Sequence, residues 1–377
     1  MGLPLEGLRV IDLTQDFAGP FCTMILSDLG AEVIKIEKPE GGDETRAWGP
    51  PFVNGISYYF RSLNRGKKSV VLDLKMREGR GIIRKLVVDA DIFVESSRPG
   101  QMARFHLDYS RLRRLNKALV YASISSFGQT GPYRDRLGYD LIAFAMSGIM
   151  ASTGEERRPP IRMSVPVADL AAGHYASTAI LAALSRRLVT GRGDYIDLSL
   201  HDSIVSWLTY LASYYFATGK EPQRRGSAHP SIVPYQAFRC KDKDLVLAIG
   251  NDRQWTNFCH ATGLERLITD RKFSTNPARV KNRHLLIPAL QQVFHRKKAT
   301  EWHRILVQAQ IPATPVFNIR DVTRDPQIRN RKMIIRSDGD VPRLGSPMRF
   351  YKTRPKNTTT APRLGQHTKE ILDSLHT

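Results

Sequence analysis

The chain is poor in cysteine, lacks long apolar runs and carries none of the common cofactor motifs. Each absence excludes a class of protein. Cys22, Cys240 and Cys259 stand alone, without the C-x-x-C spacing of zinc sites, which predicts neither a metal centre nor a disulfide framework. The longest weakly polar stretch, residues 141–151, is far below the ~18 apolar residues of a membrane span, so we expect no membrane partner. Walker A, H-E-x-x-H and nucleophile-elbow motifs are also absent.

The turn after the first predicted strand does not fit a dinucleotide site. Residues 15–20 (QDFAGP) hold one glycine, whereas the fingerprint G-x-G-x-x-G needs three. Glu37 stands roughly where a ribose-binding acid would be, but the phosphate loop is missing. We therefore set aside a nicotinamide or flavin enzyme. A helix N-terminus can still hold a phosphate without that pattern.

Acidic residues are scarce in the second half of the chain. The whole sequence has 57 Lys and Arg against 36 Asp and Glu, a net charge of +21. Residues 1–219 hold 27 basic and 23 acidic side chains (+4), and residues 220–377 hold 30 and 13 (+17). The basic residues are scattered among apolar helical positions, without a zinc-finger or RNA-binding motif. The pattern favours a solvated basic face that attracts anionic substrates over a nucleic-acid surface.

The length of the chain predicts more than one domain. With 377 residues it exceeds one ordinary compact domain, and its 41% hydrophobic and 25% charged residues are typical of a globular protein. We predict a large domain that begins in residues 1–220, a linker at 221–234 and a small domain at 235–315. Residues 316–377 are expected to link back to the large domain.

Six short β-branched runs alternate with helical patterns in the first 200 residues. They predict strands at 10–13, 33–36, 70–74, 92–95, 119–124 and 195–200. Helical patterns between successive strands imply crossover connections and parallel pairing. We therefore predict an α/β fold, with a doubly wound, mainly parallel, Rossmann-like sheet in the large domain and a smaller α+β domain.

Other segments give weaker patterns. A helix rich in small residues is predicted at 169–189, and a long aromatic helix at 204–218. Residues 235–239 and 245–249 predict a hairpin, followed by helices near 253–261, 283–295 and 300–308. Pro312 and Pro315 mark the exit from the small domain, and strands are expected at 333–335 and 348–351.

Several motifs resemble those of one enzyme family. They are residues 4–14 (PLEGLRVIDLT), 18–20 (AGP), 28–37 (DLGAEVIKIE), 42–46 (GDETR) and 364–368 (LGQHT). Together they resemble the family III CoA-transferases, the CaiB/BaiF family to which formyl-CoA transferase belongs, over essentially the whole chain. The resemblance implies CoA thioesters as substrates, no permanently bound cofactor and an interlocked homodimer.

The resemblance also gives Asp169 a role that its position alone does not. An Asp before a helical run is most often an N-cap. Family III CoA-transferases carry a nucleophilic Asp in a segment like 165–173 (VPVADLAAG), about thirty residues after a Gly-Tyr-Asp motif, here residues 138–140. A carboxylate near a helix N-terminus is favoured in its ionised form. The resemblance thus implies that Asp169 forms an aspartyl anhydride and then an aspartyl-CoA thioester.

By the same resemblance a set of residues is expected to bind CoA. They are Phe17, Ala18, Lys38, Leu72, Lys75, Ser96, Ser97, Arg98, Arg104, Arg136, Tyr139 and Asp140. The cations among them suit a polyanion, although each by itself is more often a solvated side chain. Backbone amides around Gly250 and Asn251 are candidates for stabilising the oxyanions, where members of the family often have a more glycine-rich loop.

Two segments bear on the substrate. Residues 45–52 (TRAWGPPF) and 231–238 (SIVPYQAF) resemble members that move CoA from succinyl-CoA to dicarboxylates such as glutarate or hydroxymethylglutarate. Arg46 would then pair bidentately with the distal carboxylate of the acceptor. The alternative for Arg46 is a structural ion pair with Asp43 or Glu44.

Two other functions stay open. The α-methylacyl-CoA racemases share the aspartate but use the His of a Gly-His-Asp motif, where this chain has Tyr139, and that favours transfer. The second is a basic protein that binds polyanions on the same scaffold. Retention on heparin or DNA at physiological salt would favour it, since phosphate-driven binding declines steeply with salt. The fold-forming pattern begins by Leu5, without room for a signal peptide. We therefore expect the cytoplasm, or the mitochondrial matrix if a transit segment has been removed.

Overall fold

A computed structural model describes residues 2–336, 341–351, 353 and 360–375. By their contacts the residues form two units. The large unit holds Met1–Met150, Arg162–Gly219 and Gln327–Thr377, and the small unit holds Ala151–Ile161 and Lys220–Pro326. The predicted boundaries differ at 221–234 and 316–326, predicted as linking segments but part of the small unit, and at residues 151–161, predicted in the large domain. Residues 151–161 join the small unit because the Arg224 guanidinium donates to the carbonyl oxygens of Ala151 (2.9 Å) and Glu155 (3.3 Å).

Strands and helices alternate in the first part of the described chain, whereas the helices of residues 252–308 follow one another without a strand between them. The strands are β1 (Arg9–Leu13), β2 (Glu32–Glu37), β3 (Phe52–Val53), β4 (Ile56–Ser57), β5 (Lys67–Val71), β6 (Ile92–Glu95), β7 (Val120–Ser125), β8 (Tyr195–Ser199), β9 (Tyr235–Arg239), β10 (Asp244–Ala248), β11 (Ala313–Pro315), β12 (Ile334–Ile335) and β13 (Arg343–Leu344). The α-helices are α1 (Ala18–Asp28), α2 (Tyr58–Leu63), α3 (Arg77–Val88), α4 (Gln101–Arg104), α5 (Tyr109–Leu115), α6 (Asp140–Met146), α7 (Ile149–Ser152), α8 (Val167–Thr190), α9 (Leu200–Val205), α10 (Tyr210–Thr218), α11 (Asp252–Thr262), α12 (Arg266–Thr269), α13 (Asn276–Lys281), α14 (Arg283–Phe294), α15 (Ala299–Gln308), α16 (Ile319–Arg324), α17 (Pro326–Asn330) and α18 (Thr368–Asp373). Glu44–Ala47 and Ser206–Leu208 are short 3-10 helices.

Six parallel strands form the sheet of the large unit, in the order β5-β2-β1-β6-β7-β8. Numbered among themselves along the chain, these strands read 3-2-1-4-5-6, which is the Rossmann order and confirms the predicted fold class. The order reverses between β1 and β6. A crevice therefore opens between the carboxyl ends of these two strands, where ligands bind in such folds.

Apolar side chains cover both faces of this sheet. Successive side chains of a strand point to opposite faces, so Val10 packs under α1 and α8, whereas Ile11 packs under α3, α5 and α18. Both side chains are fully buried. Each buried side chain of this size contributes ~1.5–3 kcal/mol relative to exposure. The two cores fix the strands whose ends form the crevice.

The helix α8 approaches α1 at a glycine. A Cβ added at Gly173 would lie 2.8 Å from the carbonyl oxygen of Ala18 and 2.8 Å from the ring of Phe21, so the site has no room for a side chain. The neighbouring Ala172 and Ala176 are also fully buried. Small residues thus bring the first turns of the two helices close together.

Among the described helices, α8 is long and apolar enough to cross a membrane, judged by length and composition alone. Of its apolar window, 56% is buried inside the protein. Core helices of globular proteins pass the same test. This corrects the expectation that residues 141–151 are the longest weakly polar stretch.

The small unit is built on a three-stranded antiparallel sheet in the order β11-β10-β9. Strands β9 and β10 form the predicted hairpin. Strand β11 is not predicted, because Pro312 before it and Pro315 at its end indicate an exit. Pro315 is tolerated there because β11 lies at the edge of the sheet. The core of this unit includes Trp255, Phe258 and Phe294.

Two further predictions are wrong in detail. The aromatic helix predicted at 204–218 is broken at Thr209, whose φ of +42° is rarely adopted by a β-branched residue. On the return, residues 348–351 form no strand, and β12 pairs with β13 at residues 343–344 instead. The return to the large unit is as predicted, because His367 Nδ1 accepts from Ser69 N–H at 3.1 Å and Ile371 is buried in its core.

Candidate active site

A cavity of about 350 Å³ opens in the large unit at the carboxyl ends of the parallel strands. Its lining residues come from the end of β7, from the turns after β1, β6 and β7, from the first turns of α1, α2, α6, α8 and α9, and from loops. They are Gln15, Asp16, Phe17, Ala18, Gly19, Trp48, Tyr59, Ser96, Ile124, Ser125, Ser126, Gly138, Tyr139, Asp140, Leu141, Arg162, Pro166, Asp169 and Leu200. Gln15 N–H donates to Ser96 Oγ at 2.9 Å, between the ends of β1 and β6. The cavity therefore lies where the strand order predicts a ligand site.

A buried ionic network holds the turn that follows β1. Asp12 accepts from Thr14 N–H at 2.9 Å and from Lys67 Nζ at 3.1 Å. Lys35 Nζ donates to the Thr14 carbonyl at 2.7 Å and pairs with Asp43 at 2.8 Å. Burial opposes ionisation of Asp12, but Lys67 and Lys35 outweigh it and lower the pKa to about 2. The turn is thus tied to β2 and β5.

Asp16 stands at the end of this turn in a left-handed conformation, with φ at +67°. Its buried Oδ1 has no hydrogen-bond partner among the described residues. Phe17 and Ala18, two of the predicted CoA-binding residues, follow directly and line the cavity. Phe17 is the N-cap of α1 but its side chain accepts no capping bond. The first backbone amides of α1 are therefore not capped by that residue.

Asp169 lies on the first turn of α8 but is not its cap. Asp140, the first residue of α6, accepts from the backbone N–H of Ala168 at 2.8 Å and from that of Asp169. Pro166 holds the N-cap position and has no side-chain oxygen to offer. Asp140 supplies that oxygen from a neighbouring helix. The N-cap interpretation of Asp169 is therefore wrong, and its carboxyl group lines the cavity.

The three carboxyl groups of the cavity resist ionising together. Burial, with Asp140 and Asp16 nearby, raises the pKa of Asp169 to about 8. Burial raises the pKa of Asp16 to about 6, and Asp43 and Glu44 add to the shift. Burial also raises the pKa of Asp140, against the backbone hydrogen bonds that stabilise its ionised form. Such shifts are typical of functional sites.

Aromatic side chains form one wall of the cavity. The ring of Tyr59 is 4.8 Å from Trp48 and 6.0 Å from Phe17, measured between centroids. Burial and the three carboxylates raise the pKa of Tyr59, so its hydroxyl stays protonated. The wall therefore combines apolar faces, which exclude water, with a neutral hydrogen-bond donor.

Of the predicted segment Ser96–Arg98, only Ser96 lines the cavity. The Ser97 N–H donates to Glu95 at 2.7 Å, and Arg98 is exposed. Glu95 is buried at the end of β6, where it also accepts from Ser123, and burial raises its pKa to about 7. The buried Glu95 carboxyl group therefore holds the backbone of this segment at Ser97.

The predicted cations lie outside the cavity, along one edge of the sheet. Lys38 follows β2, Lys75 follows β5 and Arg98 follows β6, and these parallel strands end at the same edge. Arg104 ends α4 nearby in sequence. All four side chains are exposed. The structure therefore lines up three of the predicted cations beside the carboxyl ends of the strands.

Two other predicted CoA-binding residues do not line the cavity. Arg136 stacks on Tyr133, with its guanidinium carbon 3.7 Å from the ring centroid. The Leu72 side chain is buried in the core, and its N–H donates to the Glu37 carbonyl at 2.9 Å. Tyr139 and Asp140, by contrast, line the cavity as predicted residues of the pocket.

Arg46 is engaged by the protein itself. Its Nε and Nη2 donate to the two carboxylate oxygens of Glu37 at 2.6 and 2.7 Å, and its guanidinium carbon lies 3.7 Å from the centroid of the Phe60 ring. It does not line the cavity. We therefore correct both predictions for Arg46: it is not placed to bind a substrate carboxylate there, and its ion-pair partner is Glu37 rather than Asp43 or Glu44.

Gly250 and Asn251 lie in the small unit directly before α11. The Gly250 N–H donates to Gln254 Oε1 at 2.8 Å, and Asn251 Oδ1 accepts from Gln254 N–H at 2.9 Å as the helix cap. The Gly250 amide is therefore already occupied. Its role in stabilising an oxyanion stays a prediction.

Sequence reasoning missed Asp16, Tyr59 and Arg162 as cavity residues. Asp16 lies in the turn at residues 15–20, where the sequence shows only that the glycines of a dinucleotide site are missing. Tyr59 and Arg162 lie in no recognisable motif. In the part of the chain that the structure describes, no group of three His, Cys, Asp or Glu side chains is placed to hold a metal ion.

Comparison with known proteins assigns the family. The sequence profile of CoA-transferase family III matches residues 5–368. Succinyl-CoA:glutarate CoA-transferase of Mus musculus is 43% identical over 373 residues, covering 98% of this chain and 86% of the relative. Succinate–glutarate CoA-transferase of Agrobacterium fabrum is 39% identical over 388 residues, covering 99% and 96%. A crystal structure of a CaiB/BaiF family protein from Brucella suis matches over 100% of both chains, with a TM-score of 0.91 and 41% identity. The chain therefore belongs to CoA-transferase family III.

Proposed function

We propose that the protein transfers CoA from succinyl-CoA to a dicarboxylic acid such as glutarate, with Asp169 as the nucleophile. The observation that carries this proposal is the carboxyl group of Asp169 in the cavity wall, freed from capping α8 by Asp140. The names of the mouse and Agrobacterium relatives support the choice of donor and acceptor.

The first half of the reaction loads CoA onto the enzyme. The ionised Asp169 attacks the thioester carbonyl of the donor, the C–S bond breaks, and CoA leaves as the thiolate. The thiolate then attacks the Asp169 carbonyl of the resulting anhydride. Succinate leaves, and the enzyme holds CoA as an aspartyl thioester.

The second half reverses these steps on the acceptor. The acceptor carboxylate attacks the aspartyl thioester and displaces the CoA thiolate, which then attacks the acyl carbonyl of the new anhydride. Acyl-CoA is released and the Asp169 carboxylate is regenerated. Each broken bond is replaced by a similar one, so the reaction requires neither ATP nor a bound cofactor, but it does require exclusion of water. The aromatic wall around Tyr59 supports that requirement.

The CoA moiety would lie along the carboxyl edge of the sheet. Lys38, Lys75 and Arg98 follow β2, β5 and β6 there, and their exposed side chains suit the phosphates of CoA. The first turn of α1, with Phe17 and Ala18, suits the part of the ligand that enters the cavity.

The direct test is Asp169→Asn, which keeps the shape of the side chain but replaces the nucleophile with an amide. We expect folding to persist and transfer from succinyl-CoA to glutarate to fall by at least about a thousandfold. Hydroxylamine added with acyl-CoA should convert Asp169 of the wild type to a hydroxamate, detected by mass spectrometry. Asp89→Asn, at an exposed position that ends α3, is the matched control. Wild-type turnover by Asp169→Asn would refute the mechanism.

We also propose that the protein is a homodimer. Helix α10 has no buried residue, although it carries Tyr214 and Phe216, the latter 81% exposed. An exposed aromatic helix of this kind is typical of an interaction surface. Size-exclusion chromatography with light scattering checks the mass, and a monomer at micromolar concentration would contradict the proposal.

A further inference from the structure

Asp16 has no role in the mechanism proposed above, yet the structure places it in the wall of the same cavity. Its left-handed backbone is one that Asp adopts more readily than most residues. Its buried Oδ1 meets no donor among the described residues. Buried polar oxygens are almost always hydrogen-bonded. An orphaned oxygen in a cavity wall therefore points to a partner that arrives with the ligand.

Charged and titratable groups face Asp16 from several elements. They are Lys35 on β2, Lys38 after it, Asp43 and Glu44 at the following 3-10 turn, Tyr59 on α2 and Asp169 on α8. Both lysines are already engaged, since Lys35 Nζ lies 2.8 Å from Asp43 Oδ2 and Lys38 Nζ lies 3.8 Å from Glu44 Oε1. Two cations thus stand against two ionised carboxylates, and Asp169 adds a third negative charge only above its pKa of about 8.

We propose that Asp16, in its protonated form, donates a hydrogen bond to a carboxylate of the acyl acceptor and thereby selects acids as acceptors. The inference rests on the proposed CoA-transferase function. It makes Asp16 a specificity-determining residue of the cavity.

The chemistry of the ligand favours a donor at this position. An acceptor acid enters as an anion, and an ionised Asp16 would only repel it. A protonated carboxyl group offers an O–H donor in place of that charge. No hydrogen bond within the described protein competes for Asp16 Oδ1, so the group is available to the ligand.

The pH dependence of the two kinetic constants should therefore separate. Burial, Asp43 and Glu44 raise the pKa of Asp16 to about 6, so the protonated fraction falls as the pH rises through that value. The KM for the acceptor then rises, by up to about tenfold per pH unit above the pKa. The kcat follows ionisation of Asp169, whose raised pKa of about 8 makes kcat increase with pH.

The experiment compares wild type, Asp16→Asn and Asp16→Ala with succinyl-CoA and glutarate between about pH 5.5 and about pH 8.5. Asn retains an N–H donor and tolerates the left-handed backbone but has no proton to lose in this range. We expect the wild-type KM for glutarate to rise by at least about tenfold from pH 6 to pH 8 and that of Asp16→Asn to stay level. Asp16→Ala should have a KM raised by about tenfold or more near pH 6.

Two further readings separate this role from a merely structural one. In Asp16→Asn the rise of kcat/KM for succinyl-CoA should shift to lower pH, because a carboxylate that raises the pKa of Asp169 in the free enzyme is gone. Asp89→Asn should retain both wild-type profiles. A KM for Asp16→Asn that rises with pH as in the wild type would overturn the proposal.

A second measurement uses the wild type alone and so does not depend on how the variants fold. Calorimetric titration of glutarate near pH 7, in buffers of different ionisation enthalpy, should detect uptake of close to one proton per site. Binding without proton uptake would overturn the role of Asp16. Failure of the wild type to move CoA to any acid would instead refute the proposed function.

Discussion

The close approach of α8 to α1 allows a matched pair of glycine substitutions. Gly173 and Gly81 both lie inside helices, in α8 and α3. Replacing a helical Gly with Ala stabilises the helix by about 0.5–1 kcal/mol when the new methyl group meets nothing. A Cβ at Gly81 has no neighbour within 4 Å, so Gly81→Ala should show that gain.

At Gly173 the same methyl group would lie 2.8 Å from the carbonyl oxygen of Ala18. Backbone cannot swing aside as a flexible side chain does, and overpacking of this kind costs about 1–3 kcal/mol. Subtracting the helix gain, we expect Gly173→Ala to lose up to about 2.5 kcal/mol, and to be about 1–3 kcal/mol less stable than Gly81→Ala. Urea unfolding curves with equal slopes give both values.

The pair also reports on the cavity. Displacing α1 from α8 separates the turn at Phe17 from the first turn of α8, so Gly173→Ala should reduce kcat/KM while Gly81→Ala leaves it unchanged. Equal stability of the two variants would refute the close contact between the helices. Circular dichroism of both proteins controls for loss of helix.

Two other predictions concern Arg46 and Tyr139. Arg46→Met should destabilise the protein by about 3 kcal/mol in urea unfolding, because Glu37 is left buried without its guanidinium partner. The KM values of mono- and dicarboxylate acceptors should change equally. A rise in KM confined to dicarboxylates would restore a substrate role for Arg46. Deuterium from heavy water should not enter the α-position of a 2-methylacyl-CoA, because the described cavity has Tyr139 and no His or Lys in its lining. Mass spectrometry measures the exchange. Rapid exchange would favour racemase activity over CoA transfer.

The sheet of the large unit was predictable because its signals are local. Short β-branched runs such as 33–36 and 92–95 alternate with helical patterns, and both faces of a parallel sheet are buried. The break at Thr209 was not predictable, since nothing in a run of aromatic and small residues marks a positive φ. Strand β11 exists only because β10 offers it an edge.

The site residues that lie in a family motif were predictable from the sequence. Those whose position depends on the packing of the folded chain were not. Asp169 and Asp140 lie in matched segments, and both line the cavity. The partner of Arg46 depends on how the 3-10 turn folds back on β2, which the sequence does not reveal. Asp16 stands out only through its buried oxygen and its charged neighbours, which are properties of the folded chain.

The docking of α18 on β5 has a consequence for synthesis of the protein. Ser69 and Val71, on the edge strand of the sheet, donate their backbone N–H groups to side chains of His367 and Thr368, which are made 298 and 297 residues later. At about 5–20 residues per second, the ribosome leaves that edge bare for roughly 15–60 s. An unpaired edge strand is a template for pairing with another chain. The nascent large unit therefore presents β5 as an uncovered edge strand while the small unit is being made, and a chaperone that covers β5 during this interval would protect the emerging chain.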